Sequence, residues 1–148
     1  ALADVSFLKA LGIHKASLIG VHTGSSIAVE ISIAFPDMVD RLVLYALPSF
    51  EPDIREACIN SYTFSPVDTE SDGSHLVRRF WRAATKMGPT TSADILNMNV
   101  TAMAMASGGA FHGEQAVFRY NEEKRLPLVT SPTLLMSGTK EEFFMLFL

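Results

Sequence analysis

The most constraining feature of the sequence is the turn Gly20-Val21-His22-Thr23-Gly24, which stands between two apolar segments. Residues 16–19 before it suit a buried strand, and residues 25–35 after it predict a helix that ends at Pro36. Glycines on both sides allow the chain to reverse at close quarters. A strand-to-helix turn of this kind pushes its central side chain, here His22, out over the C-terminal edge of a parallel sheet.

The turn has the outline of a nucleophile elbow, G-x-S-x-G, with histidine where serine belongs. Its surroundings resemble the α/β-hydrolase family. Residues 8–20 are similar to the helix, loop and strand that lead into the elbow of that family, and residues 28–30 and 35–44 to the helix, proline and strand that follow. Residues 126–128 and 131–138 resemble the strand that carries the family's acidic residue. The resemblance implies a partial α/β-hydrolase fold, a short parallel sheet flanked by helices.

Hydrophobic periodicity agrees with this order of elements. Residues 4–11 predict a short amphipathic helix, and residues 24–35 a helix that is buried on nearly all sides, with Glu30 as its only charge. The three predicted strands, neighbours in the family order, are residues 16–21, 41–46 and 132–137. After Arg41, the second of these strands is a continuous apolar run, which suits a parallel sheet covered on both faces.

We expect one domain over residues 1–148 that is incomplete, a piece of a larger enzyme fold, because family members build more strands than this sequence supplies. Residues 1–47 and 131–148 would form its α/β core. Residues 48–130 would form a helical cap, the lid that encloses substrate in this family. Loops are predicted at Pro52-Asp53, at residues 65–68 and at residues 71–74, and the cap helices are predicted near residues 76–87, 92–107 and 113–122.

The candidate catalytic residues follow from the turn and the resemblance. His22 is able to serve as a general base, a proton shuttle or a nucleophile, or it marks a degenerate site. The resemblance implies that the backbone N–H of Thr23 forms part of the oxyanion hole, and that Glu141 orients a catalytic histidine. Glu141 is equally a first-turn glutamate favoured by a helix dipole. Ser25 and Ser26 are expected to satisfy free N–H groups at the start of the helix.

Substrate-binding residues are predicted in the cap, where they would line an apolar cleft; they are Trp81, Met98, Met103 and His112. The alternative for the methionines is packing between cap helices, since methionine fills irregular apolar gaps. A metal site from His22, His112 and Glu141 lacks any close-spaced ligand motif, so no metal is predicted. We predict no cofactor.

Composition excludes several partners. A net charge of −4 gives no electrostatic footprint for nucleic acid, and no apolar run approaches the length of a membrane span. With Cys58 as the single cysteine and no basic signal-peptide region, we predict a cytoplasmic protein without membrane contact. A mean hydropathy of +0.22 and the apolar residues 143–148 predict a homodimer, or completion of the sheet by other polypeptide.

Two functions remain open. The first is a hydrolase of a small, largely apolar substrate with an ester, epoxide or C–C bond to break, in which His22 stands at the nucleophile position. The second is a catalytically silent relative or fragment that binds a small molecule or a protein partner. Histidine in place of serine, with no histidine downstream of Glu141, favours the second for this polypeptide, and the resemblance favours the first for a longer parent.

Overall fold

A computed structural model describes residues 1–61, 70–106 and 110–139. Contacts divide the chain into two units. The sheet unit comprises residues 1–61 and 114–148, and the helical unit comprises residues 62–113. The predicted cap boundaries at residues 48 and 130 stay a prediction, although residues on either side of the helical unit group with the sheet.

The sheet has three parallel strands in the order β1-β2-β3, which are Ala16–Val21, Val39–Tyr45 and Thr133–Met136. The register places Val21 beside Tyr45 and Tyr45 beside Met136, so the C-terminal ends of the strands meet at one edge. A short parallel sheet flanked by helices was predicted and is confirmed. All three predicted strands lie within two residues of the observed ones.

The α-helices of the described chain are α1 Leu2–Ala10, α2 Thr23–Ala34, α3 Pro52–Ser61, α4 Ser74–Met87, α5 Ala93–Ala106, α6 Ala110–Arg119 and α7 Glu122–Arg125. Single turns of 3-10 helix span Pro36–Met38 and Leu126–Leu128. None of the helices in the described ranges combines the length and the apolar character needed to cross a bilayer.

Helix α3 corrects the loop predicted at Pro52-Asp53. Pro52 is the first residue of the helix, where its missing N–H removes no hydrogen bond and its fixed φ suits the first turn. Asp53 follows in the same turn, where a negative charge interacts favourably with the helix dipole. The two residues therefore start a helix rather than a loop.

The core of the sheet unit lies between α2 and one face of the sheet. Leu42 and Leu44 of β2 pack against Ala28 and Val29 of α2, and all four are buried. Burial of the valine and of each leucine contributes about 1.5–3 kcal/mol. Ile27 of α2 is exposed, so this helix has an open side where we predicted burial on nearly all sides. Contact with a single face of the sheet explains the difference.

Gly20 lets α2 approach the sheet. A Cβ at this position would lie 2.5 Å from both the Gly24 carbonyl oxygen and the Ser25 Cα, which are backbone atoms that cannot move aside cheaply. The glycine before the turn is thus required for close packing between β1 and the start of α2. A Cβ at Gly24 would meet no atom within 4 Å, so close packing does not require a glycine there.

The other face of the sheet is left exposed by the described residues. Because side chains alternate along a strand, the register aligns two apolar rows on this face, Ile19–Val43–Leu134 and Val21–Tyr45–Met136. Ile19 is 74% exposed and Leu134 is 55% exposed. The prediction of cover on both faces therefore fails for the described residues, while homodimerisation or completion by other polypeptide stays a prediction.

The helical unit contains α4 and α5, which contact one another. Ala83 of α4 and Leu96 of α5 are buried, whereas Trp81 and Met98 are 65% and 66% exposed. A helix pair of this size buries little apolar surface by itself. Both helices agree with the predicted elements to within two residues.

Candidate active site

His22 occupies the apex of the turn between β1 and α2 in a strained backbone conformation. Its φ is 49° and its ψ is −121°, a combination that side chains disfavour because of steric contact with the backbone. Among the described non-glycine residues only His22 and Ala46 have a positive φ. Such strain costs of order 1–3 kcal/mol and persists where the surrounding structure enforces it. The conformation leaves His22 exposed beyond the end of β1.

Main-chain hydrogen bonds hold this conformation. The His22 N–H donates to the Tyr45 carbonyl at 2.9 Å, and the His22 carbonyl accepts from the Ser25 N–H at 2.8 Å. On the neighbouring strand the Ala46 N–H donates to the Met136 carbonyl at 2.7 Å. The C-terminal ends of all three strands are therefore tied together next to the turn, and His22 stands on a rigid edge.

The two serines after the turn do not behave as predicted. The Ser25 hydroxyl donates to the Tyr45 carbonyl at 3.0 Å instead of accepting from a helix N–H, so that prediction is wrong. The reason is that His22 occupies the N-cap position, and Ser25 is already within the first turn, where its short side chain faces β2. The Ser26 hydroxyl is buried and makes no hydrogen bond with any described residue.

The first turn of α2 therefore lacks a side-chain cap at its N-terminus. Thr23 and Gly24 begin the helix, and the first N–H groups of a helix have no acceptor within the helix. Together with the helix dipole, such N–H groups stabilise a negative charge placed beside them. Thr23 is exposed, so its position is compatible with the predicted oxyanion role, which stays a prediction.

The remaining predicted residues are not tested by this geometry. Glu141 lies outside the described residues. Trp81 and Met98 are exposed on α4 and α5, Met103 lies on α5, and His112 is exposed on α6. Their proximity to His22 stays a prediction. Over the described ranges, no three His, Cys, Asp or Glu side chains cluster in a way that would hold a metal ion.

A buried ion pair was not predicted from the sequence. Arg55 Nη2 donates to Glu122 Oε1 at 2.8 Å, and Glu122 is fully buried. Arg55 also donates to the Tyr120 carbonyl, and its guanidinium lies 5.9 Å from the centre of the Phe50 ring. The Phe50 N–H donates to the same carboxylate oxygen at 3.2 Å. These contacts fix the segment after β2 to the start of α7.

A second polar network joins α2 to α7. Arg125 donates from Nε and Nη2 to the two carboxylate oxygens of Glu30, both at 2.7 Å, and the Tyr120 hydroxyl donates to Glu30 Oε1 at 2.7 Å. The hydrogen bond from Arg125 lowers the pKa of Glu30, with a further contribution from Tyr120. Burial and the neighbouring carboxylate raise the pKa of Tyr120. The lone charge that the sequence placed on an apolar helix was the available signal for this network.

Several solved structures resemble this chain in fold. A hydrolase from Pseudomonas aeruginosa matches with a TM-score of 0.63 at 18% identity, over 95% of this chain and 53% of that chain. A membrane phospholipase A described as a bacterial virulence factor matches with a TM-score of 0.59 at 20% identity, over 89% of this chain and 43% of that chain. The enol-lactonase from Burkholderia xenovorans matches with a TM-score of 0.55 at 18% identity, over 93% of this chain and 52% of that chain.

The chain thus spans about half the length of the solved structures it matches. Neither a protein-family model nor a curated protein sequence matches it. The structural likeness confirms the predicted fold: the described chain has part of the α/β-hydrolase fold, with three parallel strands flanked by helices.

Proposed function

We propose that the chain supplies the elbow-bearing half of a hydrolase that acts on small, largely apolar substrates. The observation that carries this proposal is the strained backbone of His22, because strain at an exposed apex has a function when it aims a side chain at a substrate. Of the three bond types considered, we favour an ester, since two structural neighbours are named as an enol-lactonase and a phospholipase A.

In this proposal His22 acts as a general base on water. The neutral imidazole takes a proton from a water molecule as the water oxygen attacks the carbonyl carbon of the ester. The Thr23 N–H stabilises the resulting oxyanion at the start of α2. When the tetrahedral intermediate collapses, the imidazolium returns the proton to the departing alcohol, which leaves a carboxylic acid and the starting imidazole.

Residues beyond the turn would complete the site. Glu141 would orient a histidine, and a cap built from residues 48–130 would cover the turn with side chains that include Met98, Met103 and His112. Residues 1–148 by themselves are expected to turn over little, because histidine stands where an elbow has the serine that forms the ester intermediate.

A catalytically silent binding protein is the second candidate. The observation that favours it is the histidine itself, because an imidazole does not form the ester intermediate that a serine forms at an elbow. Such a protein would keep the fold and bind a small apolar molecule or a protein partner without turnover.

The test begins with the intact mass of the natively produced protein, followed by assays with short-chain p-nitrophenyl esters. We expect turnover that falls by about 10²-fold or more in His22→Ala, since general-base catalysis typically contributes that much. His14→Ala is the matched control, because His14 is an exposed histidine before β1. The 148-residue chain alone should show no measurable turnover. Turnover that is unchanged in His22→Ala would contradict the role of His22 as the general base, whereas ligand binding without turnover would favour the silent binding protein.

A further inference from the structure

Helix α4 carries a concentration of positive charge. Its fourteen residues include no Asp or Glu, and its cations are Arg78, Arg79, Arg82 and Lys86. The whole chain, in contrast, has a net charge of −4. Arg78 is paired with Glu70 at 2.7 Å. Within the described ranges neither Arg82 nor Lys86 belongs to an ion pair, and both are exposed. The helix thus presents cations that the described part of the helical unit does not neutralise.

An exposed apolar strip runs beside these cations. Val77 is 57% exposed and Trp81 is 65% exposed, and a spacing of four residues places them one above the other on the helix. Phe80 borders the strip and contacts Trp81 edge to face, with ring centres 6.3 Å apart. Arg78 and Arg82 form the next row around the helix, one position along from Val77 and Trp81. Apolar and basic rows therefore adjoin on one exposed surface.

This combination points to one class of partner. A helix that lies in a lipid–water interface places aromatic and aliphatic side chains at the headgroup boundary and its arginines and lysines against anionic headgroups. A nucleic-acid surface would match the charges but would leave Val77 and Phe80 without apolar contacts. An anionic lipid surface satisfies the chemistry of both rows together.

We propose that α4 docks on the surface of an anionic bilayer. Val77, Phe80 and Trp81 enter the headgroup boundary, while Arg82 in the adjoining row contacts lipid phosphates and the charge of Lys86, farther round the helix, adds to the attraction. The inference is independent of the chemistry at His22. It departs from the sequence prediction of no membrane contact, which rested on the absence of a spanning segment. It also assigns Trp81 to a surface contact instead of a substrate cleft.

Trp81 provides the test, because it is the single tryptophan of the chain. In solution its emission should be that of an exposed indole and should be quenched readily by acrylamide. Vesicles of phosphatidylglycerol and phosphatidylcholine should shift the emission to shorter wavelength and protect it from quenching. High salt should reverse the effect, and vesicles of phosphatidylcholine alone should produce much less of it.

Two double variants distinguish binding through the surface of α4 from an effect of the charge of the whole protein. Loss of each cation should weaken the partition into anionic vesicles by about fivefold, so Arg82→Gln/Lys86→Gln should weaken it by about 25-fold. The control Arg119→Gln/Lys124→Gln removes two exposed cations from the sheet unit and should change the partition little. Circular dichroism should show the same helix content in all variants.

Three results would overturn the proposal. The first is an absence of binding to anionic vesicles by the unmodified protein. The second is a Trp81 emission that is already shielded without lipid, as expected if Trp81 lines an internal pocket or a protein interface. The third is an equal loss of partition in the control variant, which would show that the charge of the whole protein, and not the surface of α4, governs binding.

Discussion

The sheet unit and the helical unit use the same apolar residue types with different results. In the sheet unit Val29, Leu42 and Leu44 are fully or almost fully buried, and polar groups are fixed by buried hydrogen bonds. In the described part of the helical unit Ala83 and Leu96 are the buried apolar residues, while Trp81 stays mostly exposed. The comparison teaches that the sheet unit has a core of its own on which to build a rigid site, whereas the helical unit mainly offers surface.

The largest expected effect concerns the buried ion pair of the sheet unit. Glu122→Ala would leave the Arg55 guanidinium without its carboxylate in a mostly buried position, which typically lowers the free energy of unfolding by about 3–5 kcal/mol. Glu123→Ala changes the exposed neighbouring residue and should have little effect. Urea unfolding followed by circular dichroism measures both. An equally small loss in the two variants would mean that this pair does not support the sheet unit.

The next largest expected effect is the loss of stability on truncation of a leucine, which should differ between the two units. Leu44→Ala removes a side chain with no exposed surface and should lower the free energy of unfolding by about 2–5 kcal/mol. Leu76→Ala on α4 removes one that is 44% exposed and should cost roughly 1 kcal/mol or less. Thermal unfolding of both variants provides the comparison. Similar costs would show that the helical unit has a core as well packed as that of the sheet unit.

Alanine at a glycine position tests the same contrast at the backbone. Gly20→Ala places a Cβ 2.5 Å from backbone atoms of the turn and should destabilise the protein by about 1–3 kcal/mol. Gly113→Ala in the helical unit meets no atom within 4 Å, and should be neutral or stabilise α6 by up to about 1 kcal/mol. Chemical denaturation of the two variants distinguishes the results. A well-tolerated Gly20→Ala would contradict the tight contact between β1 and α2.

The smallest expected effect is a pH dependence of stability. The pKa of Glu30 is lowered chiefly by its hydrogen bond from Arg125, so its contribution is present above the ordinary value of 4.5 and is lost as the pH falls below it. Glu30→Gln should therefore remove part of the loss of stability on acidification. Glu70→Gln is the control in the helical unit, because the exposed pair with Arg78 is screened by solvent. The free energy of unfolding should be measured from neutral pH to about pH 3 for both variants. Its loss on acidification should be reduced more by Glu30→Gln than by Glu70→Gln.

Local sequence signals predicted most of the fold. Each strand contains a short apolar run close to a glycine or proline, and the turn at His22 is specified within five residues. Proline at the start of α3 misled the prediction because the same residue favours a loop and the first turn of a helix. The exposed face of the sheet was not predicted, since an apolar strand indicates that a partner is needed but not whether one is present.

The sequence predicts the residues at the apex of the candidate site, but it does not predict the long-range contacts in the structure around it. His22 and Thr23 follow from a short motif, whereas the contact between Arg55 and Glu122 joins residues separated by 67 positions. Neither side chain lies in a pattern that distinguishes a buried charge from a solvated one. Ser25 was assigned to the wrong partner for a related reason, because its bond to Tyr45 depends on how β2 lies beside β1.

The turn at His22 separates a reactive group from the structure that supports it. Its hydrogen bonds to Tyr45 and from Ser25 use the N–H and the carbonyl of residue 22, which every amino acid other than proline possesses. Substitution of this one residue would therefore exchange imidazole for hydroxyl, thiol or carboxylate and leave both main-chain hydrogen bonds available. Such a position allows the chemistry to change at one residue without a change in the groups that hold the turn.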